Sequence, residues 1–184
     1  CAYHVDRRYH RECVRVIELH GDALEGAYRE ASSGHGALPP NLVGTLRAAA
    51  APLRALCLEV LRAVDAGAAG RVDQEHGRLG DPSVIDTFRY ENGARRDKEL
   101  NMTGHRDPGI FTVHPAVAVP GLQMRDEASS SDPGATHWAD VEAHSEEGDL
   151  ILWGGERLPE LLRGGGAAGA GPRAALHRVR GSAL

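Results

Sequence analysis

The chain has 184 residues and a formal charge of −5, and 41% of its residues are hydrophobic but only 4% aromatic. That length buries a core without disulfides or structural metal, and it suits one domain or one domain with an appended helical segment. The acidic balance and the lack of a basic stripe argue against a nucleic-acid partner, and no apolar run approaches the ~18 residues of a membrane helix.

Cys1, Cys13 and Cys57 are widely spaced and form no C-x-x-C, so neither a disulfide framework nor a zinc ribbon is expected. With no signal peptide visible, a reducing, cytoplasmic setting is the expectation. The chain opens on Cys1 rather than methionine, which suggests a piece of a longer protein.

In chain order, residues 4–31 read as helical. Val5, Tyr9, Cys13, Val16 or Ile17 and His20 recur at three-to-four spacing, Gly21 interrupts, and Ala23 to Ala31 continues the pattern. Ser32 to Pro40, with two glycines and a Pro-Pro pair, reads as a loop. Asn41 then offers an N-cap. Leu42, Leu46, Leu53, Cys57 or Leu56, Leu61 and Val64 form an apolar stripe behind it, which Gly67 and Gly70 should end.

From about residue 82 the texture changes. Val84–Tyr90 is strand-like and is followed by a polar turn at Glu91-Asn92-Gly93. Ile110–His114, Ala116–Val119, Gly121–Met124, Trp138–Val141 and Asp149–Trp153 are further short runs rich in β-branched and aromatic residues, split by Gly, Pro, Asp and Ser. Such punctuation predicts an antiparallel barrel or jelly roll, and an α+β chain as a whole. Residues 128–135 and 164–172 are low-complexity inserts too poor in bulky side chains to pack.

Among ten histidines, eight read as ordinary. His4, His10 and His20 belong to the amphipathic first region, His35 and His76 to polar stretches, and His137 and His144 to charged surroundings. His114 lies at an odd offset from His105 and would face away from it on a continuous strand. His105 and Asp107 differ, because side chains two apart on an extended strand share a face. One nitrogen and one carboxylate then aim at a common point.

Gly104-His105-Arg106-Asp107-Pro108-Gly109-Ile110-Phe111-Thr112-Val113 resembles the H-x-D segment of the Fe(II)- and 2-oxoglutarate-dependent dioxygenases, in particular their isopenicillin N synthase-like branch. The likeness continues in order. Gly121-Leu122-Gln123 resembles that branch's G-L-Q strand and Trp138-Ala-Asp-Val141 its W-x-x-V. Gly148-Asp149 through Leu158 and Gly164 resembles its strand-turn-helix, and Leu176-His177-Arg178-Val179 its H-R-V. Upstream, Phe88-Arg-Tyr90 is similar to the strand before the metal motif. The resemblance implies a double-stranded β-helix over residues 81–184, preceded by a helical region at 1–80. It also implies Fe(II) held by His105, Asp107 and His177, with no catalytic residue beyond those ligands. Two imidazoles and one carboxylate form the facial arrangement that leaves three positions open. In that family they take 2-oxoglutarate as cosubstrate and dioxygen, for hydroxylation or desaturation of a small organic molecule. Tyr90 is a candidate contact to the keto acid on the same grounds.

Two features depart from the family pattern. Its arginine for the distal carboxylate of 2-oxoglutarate, in an R-x-S pattern, lies further beyond the H-R-V histidine than Arg180 lies from His177. Arg180-Gly-Ser182 therefore has the right letters at the wrong place, and Arg180, three residues on, points away from the metal on a continuous strand. The chain stops at Leu184, and the expectation is a domain that lacks its last strands. Arg106, in the middle of H-x-D, is also unusual and would need solvent or an acidic partner. The missing anchor leaves an alternative open, a non-catalytic β-helix binding module that has lost keto-acid binding. A weaker one is a zinc hydrolase with the same three ligands.

Overall fold

Two strands open the chain, β1 (Ala2–Asp6) and β2 (Arg11–Val16), where three-to-four periodicity predicts a helix. The computed structural model describes residues 2–6, 11–16, 42–79, 83–90, 100–117, 120–126, 137–163 and 172–181. In it β2 lies between β1 and β3 (Ile85–Tyr90), antiparallel to both. The helical reading fails because Val14 and Val16 also fit a period of two, the β-branched choice for a pleated strand. What decides between the periods is pairing with residues about seventy positions away, Arg11 opposite Tyr90 and Val16 opposite Ile85. A local window cannot register such a partner. The expected loop at 32–40, the Asn41 cap and the helical run from Ala23 to Ala31 lie outside the described residues.

Helix α1 (Leu42–Val64) follows the expected stripe. Leu61 is fully buried and Cys57 half-buried, while Leu56 faces outward. The stripe does not stop at Gly67 or Gly70, because both lie inside a second helix, α2 (Ala66–Leu79). The break is at Asp65, whose side-chain Oδ1 accepts the Ala68 amide at 2.8 Å. That N-cap satisfies one of the free donors of the new helix. With Ala68, Ala69 and Val72 buried, it offsets the cost of about 1 kcal/mol for each interior glycine. Arg62 of α1 reaches Asp73 of α2 at 3.0 Å, an exposed pair worth little.

The chain divides into two compact units, residues 1–91 and 92–184. Within the second, β4 (Leu100–His105), β6 (Leu122–Arg125), β7 (Trp138–Asp140) and β9 (His177–Arg180) form an antiparallel sheet in the order β4-β9-β6-β7. A second sheet pairs β5 (Phe111–Pro115) with β8 (Leu150–Gly154), and helix α3 (Arg157–Arg163) follows β8 directly. The architecture is α+β with antiparallel sheets and three α-helices among the described residues. Strands were expected near β5, β6, β7 and β8; β4 was not. Of the run expected at 116–119, Ala116 and Val117 are not in a strand and the rest is outside the described residues, as are most of the two inserts.

Three of the segments that carry the family resemblance, G-L-Q, W-x-x-V and H-R-V, meet in the first of these sheets as β6, β7 and β9. Gln123 is register partner to Arg178 on one side and to Asp140 on the other. It accepts from Arg178 Nε at 2.7 Å and donates to Asp140 Oδ1 at 2.7 Å. The Arg178 guanidinium lies 4.2 Å over the Trp138 ring, a cation–π contact. Buried Glu142 ties the start of β6 by accepting the amides of Gly121 and Leu122 at 2.6 and 2.9 Å.

Candidate metal centre

Pairing between β4 and β9 sets His105 directly opposite His177. The register slips twice along this pair, once between Leu100 and Met102 and again between Met102 and His105. Such bulges re-aim side chains, and here they bring the two rings to a centroid separation of 4.2 Å. His177 is buried in an interior strand. His105 ends β4, the sheet's other flank, and is 35% exposed against 6% for His177.

Asp107 completes the group, though not by sharing a strand face with His105. The strand stops at His105, and Asp107 sits in the bend between β4 and β5. Its place is fixed by the start of α3. The Glu156 amide donates to the Asp107 carbonyl at 2.8 Å and the Arg157 amide to the Gly109 carbonyl at 3.1 Å, while Gly155 N donates to Ile110 O at 2.9 Å. These contacts need a glycine at 155, since a Cβ there would stand 2.2 Å from Gly109 O and 2.8 Å from Asp107 O.

The ligand-capable atoms of His105, Asp107 and His177 all lie within 4.8 Å of one another. His105 Nε2 is 3.5 Å from Asp107 Oδ1, and His177 Nε2 is 3.6 Å from Asp107 Oδ2. Donor atoms about 2.0–2.2 Å from a metal and at right angles to each other stand roughly 3 Å apart, so small side-chain rotations close the site on an ion. Both rings turn the same nitrogen, Nε2, toward the carboxylate. His105 Nδ1 is 2.9 Å from the Thr103 carbonyl and His177 Nδ1 3.4 Å from the Ala175 carbonyl. A carbonyl only accepts, so each Nδ1 carries a proton and each Nε2 is the nitrogen turned toward the common point, that of His105 through its contact with Asp107.

Electrostatics favour a charged Asp107 and a neutral His177. Burial pushes the Asp107 carboxyl upward, but hydrogen bonds from His105, Thr112 and Trp153, with the nearby His177, outweigh it and hold the group down at about 2. Burial lowers His177, favouring the neutral ring against the opposing pull of Asp107. A carboxylate and neutral imidazoles are the forms that bind metal.

The residues that hold the carboxylate were not singled out by the sequence. Thr112 Oγ1 donates to Asp107 Oδ2 at 2.6 Å and the Trp153 indole N–H donates to the same oxygen at 3.0 Å. Thr112 and Trp153 are register partners across β5 and β8, so one cross-strand pair presents both donors. Trp153 also packs on the His177 ring, with centroids 5.0 Å apart. The available signal was the threonine on the strand after H-x-D. Arg106 is exposed to solvent, one of the two surroundings expected for it, and its Nε also donates to the carbonyl of buried Ala174 at 3.1 Å. That links the H-x-D bend to the residues just before β9. Arg180 lies 4.0 Å from Asp140, with both side chains about half exposed. Tyr90 ends β3 opposite Arg11 in the first unit; its side chain lies outside the described residues. His137 and His144 are exposed, and His76 is half-buried, 3.4 Å from Arg54. No helix among the described residues is long and apolar enough to cross a membrane.

No family model matches the chain, and no curated protein does. Among solved structures it is similar to a protein from Shewanella oneidensis provisionally described as an oxygenase. The TM-score is 0.55 at 20% identity, over 92% of this chain and 53% of that one. The chain thus spans about half the length of that protein. At this identity the likeness is one of fold alone.

Proposed function

We propose that the chain is the core of an Fe(II)- and 2-oxoglutarate-dependent oxygenase acting on a small organic molecule, with His105, Asp107 and His177 as the metal ligands. Residues 81–184 belong, on this reading, to a double-stranded β-helix of the isopenicillin N synthase-like kind. The observation that carries it is the geometry of the three side chains: two Nε2 atoms and one carboxylate converge, with both Nδ1 atoms turned to carbonyls. Likeness of fold to a protein provisionally described as an oxygenase supports the same reaction class.

Bound iron would supply the oxidation chemistry. The chain's own residues do the rest. Thr112 and Trp153 engage Asp107 Oδ2, so a bound metal would be held through Oδ1, and one oxygen from the carboxylate would leave positions for other ligands. Trp153 and the buried side of His177 shield one flank from water.

Under argon, the protein with Fe(II) and 2-oxoglutarate should show the visible charge-transfer band of the chelate, and His105→Ala should abolish it. A protein that binds Fe(II) yet gives no such band with 2-oxoglutarate would sink the keto-acid assignment.

A further inference from the structure

His114 is two residues beyond Thr112 on β5, and residues two apart on a strand share a face. Thr112 turns its hydroxyl to Asp107, so His114 stands on the site's side of the sheet, about 7 Å further along the strand. The odd offset from His105 does not carry it to the other face, because the bend at residues 106–110 interrupts the strand and resets the alternation. Its ring lies 6.4 Å from that of Trp153, whose own ring is 5.0 Å from His177. Trp153 thus neighbours both the candidate ligand and this third histidine.

His114 Nδ1 is buried and has no hydrogen-bond partner. A buried polar atom left unpaired is costly, and native structures seldom keep one without a reason. Thr112, the inward-facing neighbour, has its hydroxyl engaged; His114 does not. Arg180, the nearest match in sequence to a carboxylate-binding arginine, is directed instead toward Asp140.

We infer that His114 Nδ1–H donates a hydrogen bond to the distal carboxylate of a dicarboxylic keto acid held at the His105–Asp107–His177 centre. This rests on the reading given above. On it, the chain recognises the second carboxylate with an imidazole on β5, and selects keto diacids over keto monoacids at that position.

The test uses Mn(II)-loaded protein under argon, with 2-oxoglutarate and 2-oxobutanoate as probes. Both chelate through the 1-carboxylate and keto oxygen, and only the first has a distal carboxylate. The native chain should prefer 2-oxoglutarate by at least about tenfold, as one hydrogen bond to a charged group provides. His114→Leu should bring the two dissociation constants close together through weaker 2-oxoglutarate binding, with 2-oxobutanoate little changed. His114→Asn, whose amide nitrogen falls near the Nδ1 position, should restore much of the preference and guards against a leucine variant that fails to fold. Mn(II) titration of each variant reports whether the centre is intact. An undiminished preference in a folded His114→Leu protein overturns this inference and leaves the oxygenase reading standing. Native protein that binds Mn(II) but neither keto acid overturns both.

Discussion

His177 and the His105–Asp107 pair supply one centre from opposite kinds of backbone. His177 begins a strand paired on both sides, between β4 and β6, and its ring is buried against Trp153 and His105. His105 and Asp107 sit where a bulged strand gives way to a bend, and both are more open to solvent. One ligand is placed by ladder hydrogen bonds that the sheet needs in any case. Asp107 is placed by specific contacts, from the amides at the start of α3, Thr112 and Trp153, with Arg106 bracing its bend, and His105 by the bulged end of the β4–β9 ladder. The first kind of placement is robust, and the second can be removed one contact at a time.

The sharpest probe of this contrast is ligand removal on each side. His177→Ala and His105→Ala should both lower metal affinity by more than about a hundredfold, because each deletes a ligand. Their effects on stability should differ. Losing the buried His177 ring should cost about 1–3 kcal/mol in metal-free protein, and losing the exposed His105 ring about 1 kcal/mol or less. Equal losses in denaturant titrations would remove the distinction.

Gly155→Ala comes next. A Cβ there meets the carbonyls of Gly109 and Asp107, and backbone cannot swing aside as a flexible side chain does. The bend must shift, taking Asp107 with it while β9 stays paired. Metal affinity should fall at least tenfold with little change in the strand content seen by circular dichroism. Native-like metal binding in this variant would show that the bend tolerates displacement.

Trp153→Phe keeps a ring beside His177 and removes the N–H that holds Asp107 Oδ2. Metal affinity should drop by about 10-fold, at the lower end of the range for outer-shell partners, since Thr112 still donates to the same oxygen. Isothermal titration with Mn(II) measures it. Unchanged affinity would mean that the threonine alone suffices.

How much of this was legible differs between the same two regions. His105, Asp107 and His177 could be picked out because their residue types and flanking segments form a pattern in order; that the sheet joins Gln123, Asp140 and Arg178 from three of those segments is seen only in the fold. The contacts that hold the bend could not. Thr112 and Trp153 become partners only through the β5–β8 register, and the bulges in β4 leave no mark in the letters. In the first unit, the strand identity of residues 11–16 was hidden for the same reason, since its deciding partner is β3. The helix break at Asp65 was different. A capping aspartate was in plain view, but the glycines after it drew the reading instead.

Arg106 gives the smallest expected effect and the finest test of how the two regions are joined. Its side chain is outside the ligand set, yet its Nε–H donates to Ala174 O, three residues before His177. Ala175 in turn donates to Gly154 O at 2.9 Å, so this short segment is tied to the bend on one side and to β8 on the other. Arg106→Ala should weaken metal binding only a few-fold, because every ligand and every donor to Asp107 remains. Arg106→Lys should not rescue it fully, because a flexible ammonium does not reproduce the direction of a guanidinium Nε–H. Amide exchange should localise the change: Ala175 and the amides of Glu156 and Arg157 should exchange faster in Arg106→Ala, while those within β6 should not. Faster exchange throughout β6 and β9 would instead make Arg106 a support of the whole sheet, and the separation between strand-placed and contact-placed ligands would fail.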